Sequence, residues 1–148
     1  MAAKSKQVAD SIVRPESEER GEVAIMLDGQ RMVLRPTYEA IEAFEAGTGK
    51  GLIMLAQAAA ARSLSLAECS VIACECIRAW GRATDNRGMS GANSRRIAEL
   101  ILESDGGVME AMTALTAVLA LAATGKYTAA GELKPATTMT TDEAHVAG

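Results

Sequence analysis

Five residues between two apolar runs, Gly47-Thr48-Gly49-Lys50-Gly51, are the first place where this chain could do chemistry. Backbone N–H groups of a glycine-rich loop at a helix start, joined by a lysine, can cradle a phosphate. The phosphate-loop pattern breaks at both ends. It requires Gly where Phe44 stands and Ser or Thr where Gly51 stands, and it follows a strand, whereas this stretch follows helical periodicity. A helix-to-helix turn built on glycine is the better reading.

Cys69, Cys74 and Cys76 fall within one predicted helix at a spacing of C-x4-C-x-C, which does not bring three thiolates onto one metal. The single histidine, His145, lies near the C-terminus, so a closed tetrahedral zinc shell has no support and no Ser or Cys triad can be assembled. The thiols read as small core residues. Glu39, Glu42 and Glu45 repeat at helical spacing and read as a solvated helix face rather than paired acid and base. The residue types thus offer no catalytic site, no cofactor and no metal, and the expectation is a protein that is not an enzyme. Arg78, Arg82, Arg87, Arg95 and Arg96 form a local basic patch against Asp85, but only Trp80 accompanies them as an aromatic. Nucleic acid binding is not expected without stacking side chains or a basic surface overall.

The totals bound what can position any such residues. The chain has 148 residues and a formal charge of −4, with one Phe, one Trp and two Tyr. Its core must therefore be built from Leu, Ile, Val, Met and Ala, which suits closely packed helices, and the negative balance argues against a nucleic-acid footprint. Three cysteines, an odd number, and an N-terminus MAAKSKQVAD without an apolar run point to a reducing compartment, the cytosol. The most apolar window, residues 111–123, is too short to cross about 30 Å of hydrocarbon, so no membrane partner is expected.

Residues 20–37, RGEVAIMLDGQRMVLRPT, carry the only clear strand periodicity. Asp28-Gly29 between alternating apolar residues predicts a type I′ hairpin, because both central positions need positive φ. A two-residue turn sets Ile25 against Met32 and Val23 against Leu34 on a core-facing side. The same register places Glu22 against Arg35 as a cross-strand ion pair. A lone hairpin is marginal in water, so helices must cover it.

The period changes from two to 3.6 after Pro36. Thr37 caps a first helix with Tyr38, Ile41 and Phe44 as its apolar stripe, ended by Gly47 and Gly49. A second helix spans residues 51–62, with Leu52, Leu55, Ala56 and Ala59 on one side. Ser65 and Glu68 form a capping box before a third helix, whose stripe is Leu66, Cys69, Ala73, Ile77 and Trp80. Residues 81–93 read as a loop. Asn93 or Ser94 caps a fourth helix with Ile97, Leu100 and Ile101 inward, and Gly106-Gly107 separates it from a fifth over residues 108–124. The expected fold class is therefore α+β, mostly α: an N-terminal two-stranded hairpin packed on a compact bundle of about five helices. Residues 1–19 read as a flexible arm, 20–125 as the single domain and 126–148 as a flexible tail.

Helix five carries Glu110 as its only charge. Such a helix is either central or covered by a partner, and Met side chains suit a surface that repacks around helical partners. Met109, Met112, Leu115 and Leu119 are the candidate partner-binding residues.

The run R-G-E-V-x-I-x-L-D-G-x-x-x-x-L-R-P-T, followed by E-x-F-E-x-x-T-G-K-G-L, resembles the small tail assembly chaperones of the gene-transfer-agent type, over residues 20–125. The resemblance implies a non-enzymatic protein of a phage, prophage or gene transfer agent that binds the tape measure protein and keeps it soluble during tail assembly. Tail tube subunits are a further implied partner, as is self-association in several copies. The alternative is a minor structural tail protein retained in the particle.

Overall fold

In the computed structural model, which describes residues 22–135, strands β1 (Val23–Leu27) and β2 (Gln30–Leu34) pair antiparallel. Asp28 and Gly29 both take positive φ, 52° and 76°, as a type I′ turn requires. The register is the expected one, with Ile25 opposite Met32 and Val23 opposite Leu34. Ile25, Leu27, Met32 and Leu34 are buried on the inner face and Val23 is half-buried.

Six helices follow: α1 (Tyr38–Thr48), α2 (Leu52–Ala60), α3 (Leu66–Ala83), α4 (Arg87–Ser90), α5 (Ser94–Glu103) and α6 (Gly107–Ala123). Five answer to the expected ones. The sixth, α4, is one turn inside the stretch read as a loop, where Asn86 accepts a hydrogen bond from Met89 N–H. Thr37 caps α1 by accepting from Ala40 N–H, and Asn93 caps α5 through Arg96 N–H. Ser65 and Glu68 form the capping box at the start of α3.

The hub is α3. Its buried residues, from Cys69 to Gly81, cover more than half of its circumference, and β2, α1, α4, α5 and α6 all pack against it. Gly81, read from the sequence as the start of a loop, lies inside this helix. A Cβ there would run into the backbone N of Ser90 and the carbonyl carbon of Met89, so its lack of a side chain is what lets α4 cross. Tyr38 departs from its expected place on the apolar stripe of α1. It is 61% exposed, and Ala40 and Phe44 line the buried side instead.

The chain does not lose structure at Gly125. Residues 126–135, the start of the expected flexible tail, fold into a tight reverse turn. Tyr127 bridges Leu133, and Lys134 N–H donates to the carbonyl of Lys126. This turn lies against the outer side of β2, where Val33 is 3% exposed. Both faces of β2 are therefore covered. Among the described residues, no helix is long and apolar enough to cross a membrane.

Candidate interaction surface

The residues singled out for chemistry are absorbed into structure. At the Gly47–Gly51 turn, Gly49 takes a left-handed φ of 74° and its N–H donates to the carbonyl of Glu45. Thr48 Oγ accepts from Lys50 N–H at 3.2 Å, and the Glu45 carboxylate accepts from Leu52 N–H at 2.8 Å, capping α2 where Gly51 has no side chain to do so. Lys50 Nζ lies 2.7 Å from Glu68 Oε2. The donors a phosphate would need are thus taken by Thr48, Glu45 and Glu68. Glu45, read as part of a solvated face, is a helix cap. Its partner is seven residues away in sequence, beyond the spacing at which caps are recognised.

Cys69, Cys74 and Cys76 are all buried. Burial pushes the Cys69 thiol up to about 11, with the Glu68 carboxylate adding to it, and raises Cys74 and Cys76 as well. The basic patch is partly neutralised. Arg78 pairs with Glu75 at 3.1 Å and Arg96 with Glu99 at 3.1 Å, while Arg82 and Arg87 are exposed.

The four candidate partner-binding residues separate. Met112, Leu115 and Leu119 are in the core, packed among α2, α3, α5 and β1, and only Met109, at 59% exposed, faces outward. The outer side of α6 presents Thr113, Ala117 and Ala120. A weakly charged helix need not be enclosed when its free face is made of Ala and Thr, because such a face exposes little apolar area.

Hollows flank the hairpin and the chain that leaves it. At its tip, Asp28 N–H donates to Ser104 Oγ at 3.0 Å, and Met26, Asp28, Glu103, Asp105 and Glu110 line an open hollow of about 450 Å³. At its base, Tyr38 and Arg82 line a shallow hollow of about 570 Å³ with Ala129 and Ala130. Between β2 and the 126–135 turn lies a more enclosed cavity of about 190 Å³, lined by Glu22, Val33, Arg35, Tyr127 and Glu132.

The expected Glu22–Arg35 ion pair is not made. The Arg35 guanidinium turns to the 126–135 turn instead, donating from Nε to the carbonyl of Ala130 at 2.9 Å and meeting Glu132 Oε2 at 3.3 Å. Glu22 Oε1 and the Tyr127 hydroxyl are buried without a hydrogen-bond partner among the described residues. Burial, aided by Cys76 and Glu22 nearby, pushes the Tyr127 phenol up to about 12. Sequence reasoning missed this contact, because Arg35 and Glu132 are 97 residues apart.

A two-stranded hairpin on a helical hub, with Met26, Tyr38 and Arg82 exposed around the hairpin, makes a small α-rich fold. The chain belongs to the phage tail tube protein family, GTA-gp10, whose family model matches residues 20–125. No curated protein and no solved structure gives a significant match. The expectation of an assembly chaperone for the tape measure protein is overturned by this family, which is one of structural tail protein. The physical ground agrees: the apolar residues meant to hold a helical client, Met112, Leu115 and Leu119, are the protein's own core.

Proposed function

We propose that this chain is a structural subunit of the tail tube of a phage or gene transfer agent, assembled in the bacterial cytoplasm and kept in the finished particle. The observation that carries this reading is the family match over residues 20–125, which contains the hairpin and all six helices. On this reading the chain is not an enzyme, and its partners are other tail components and further copies of itself.

The surface suits that role. Large apolar side chains are exposed at Met26, Tyr38, Ile53, Met54, Leu102 and Met109, spread over β1 and four of the helices. A tube subunit must touch neighbours on more than one side, whereas a one-to-one binder needs a single patch. Quantitative mass spectrometry of purified particles tests the reading. A defined, repeated copy number is the expected result, and absence from mature particles that contain the other tail proteins would overturn it.

A further inference from the structure

The two ends of α5 carry charges that its own helix does not favour. Arg95 and Arg96 stand in its first turn and Glu103 in its last, with Asp105 just beyond. A helix dipole favours the reverse, carboxylates at the N-terminus and cations at the C-terminus. The longer helices obey it: Glu39, Glu68 and Glu110 lie in the first turns of α1, α3 and α6, and Arg82 in the last turn of α3. Glu99 offsets the two arginines only in part, at 3.1 Å from Arg96 and 4.0 Å from Arg95. Helix stability therefore does not account for these charges, and a local rule broken in this way points to a role outside the helix.

The charges are also sorted by end. Between the last turn of α3 and the first turn of α5, Arg82, Arg87, Arg95 and Arg96 are all exposed, against Asp85 alone. At the far end of α5, the 450 Å³ hollow at the hairpin tip is lined by Asp28, Glu103, Asp105 and Glu110 around exposed Met26, with no Lys or Arg among the described residues that line it. Arg31, opposite Met26 in the hairpin register, is half-buried and does not line the hollow. The ten residues of α5 hold the two ends about 15 Å apart, at 1.5 Å per residue. That exceeds the Debye length of about 8 Å at physiological salt, so the two sets of charge do not neutralise each other within one chain.

Resting on the tail-tube reading, we propose that copies of this chain join head to tail, the basic 82–96 segment of one docking on the acidic hollow at the hairpin tip of the next. The occupant is a second copy because one chain carries both halves of the match, four exposed arginines and four carboxylates, at ends too far apart to satisfy each other. Met26 supplies an apolar contact inside the charged rim, the usual anatomy of a protein interface. Because the two surfaces differ, the contact is heterologous, the kind that generates rings and tubes.

Charge reversal tests the docking without opposing the fold. Arg95→Glu/Arg96→Glu and Glu103→Lys/Asp105→Lys each bring α5 into line with its dipole, so circular dichroism is expected to show folded chains. Association of the full chain is read by sedimentation velocity. Wild-type association is expected to weaken at least about tenfold between about 50 mM and about 500 mM salt, and each variant alone to associate at least about tenfold more weakly than wild type at low salt. An equal mixture of the two variants is expected to recover, because the reversed hollow of one meets the reversed segment of the other. A mixture no more associated than its parts, or wild-type association that neither reversal weakens, overturns the docking. So does a chain that stays monomeric at low salt at every concentration. In each case the copy number in purified particles still decides the tail-tube reading separately. An independent readout keeps the charge: Arg95→Lys copies are treated with a carbodiimide, which joins an amine to a touching carboxylate with loss of water. Positions 95 and 103 lie too far apart for such a link within one copy. Peptide mapping is expected to find covalent dimers joined from position 95 to position 103 or 105, and their absence overturns the docking.

Discussion

Lys50 and Glu68 meet at 2.7 Å across the junction of three helices, and the same Glu68 carboxylate accepts Ser65 N–H at 2.9 Å. One side chain therefore caps α3 and ties it to the α1–α2 turn. The hydrogen bond from Lys50, followed by that from the Ser65 backbone, holds the Glu68 carboxyl below its ordinary value of 4.5. A carboxylate depressed in the folded state contributes stability above the unfolded value, and that contribution is lost as pH falls through the folded one. Glu68→Gln is expected to flatten the acid limb of a stability-against-pH curve below pH 4.5, read by urea denaturation. Ser65→Ala should cost about 1 kcal/mol at neutral pH, the usual loss of a cap.

The alkaline limb has a different origin. Cys69 is pushed from 9.0 to about 11 and Tyr127 from 10.0 to about 12, so each keeps its proton in the folded chain after the unfolded chain has lost it. Their stabilisation is complete below the unfolded values and disappears as pH rises through the folded ones. Thermal melts are expected to fall from pH 9 upward, and Cys69→Ala should remove part of the slope between pH 9 and about 11. The three thiols should react with a thiol reagent only after denaturant is added.

Gly81→Ala improves local helix propensity by about 1 kcal/mol. It is nevertheless expected to destabilise the protein by a net of up to about 2 kcal/mol, because the backbone of Met89 and Ser90 occupies the space and overpacking costs about 1–3 kcal/mol. Denaturant titration gives the sign. A stabilised variant would mean that α4 does not lie against α3.

Leu119→Ala should cost about 2–5 kcal/mol, the range for a buried leucine, since Leu119 is 1% exposed in the core. Met109→Ala, on the same helix but outward, should stay within about 0.5 kcal/mol of the wild type. Equal effects would contradict the placement of α6.

Gly131→Ala places a Cβ against Arg35 and Thr37 at a backbone φ of +78° that favours glycine. Its expected effect is local. The Tyr38 amide, which donates to Ala129, should exchange with solvent faster by hydrogen exchange, while the amides of α3 keep their protection.

The elements that could be read directly from the chain are those whose signals lie within a few residues. Asp28-Gly29 determined the hairpin and its register, because only certain residues tolerate positive φ at both turn positions. Thr37, Ser65 with Glu68, and the Asn93-Ser94 pair marked three helix starts, because a cap and its N–H donor are three residues apart; the structure selects Asn93 of that pair. Periodicity placed Ile97, Leu100 and Ile101 inward.

What only the tertiary structure decided involves partners distant in sequence. Arg35 could be assigned to Glu22 by strand register alone, yet it turns to Glu132, since the 126–135 turn folds back over β2. Leu115 and Leu119 had the same apolar signal whether they met a partner or the core, because hydrophobic burial has no direction; the packing of α2, α3 and β1 around them gave the answer. Gly81 and Glu45 acquired their roles from neighbours, one as the crossing point of α4 and the other as the cap of α2. The sequence by itself determined the hairpin register and the starts of five of the six helices, and tertiary contact determined which surface was left free.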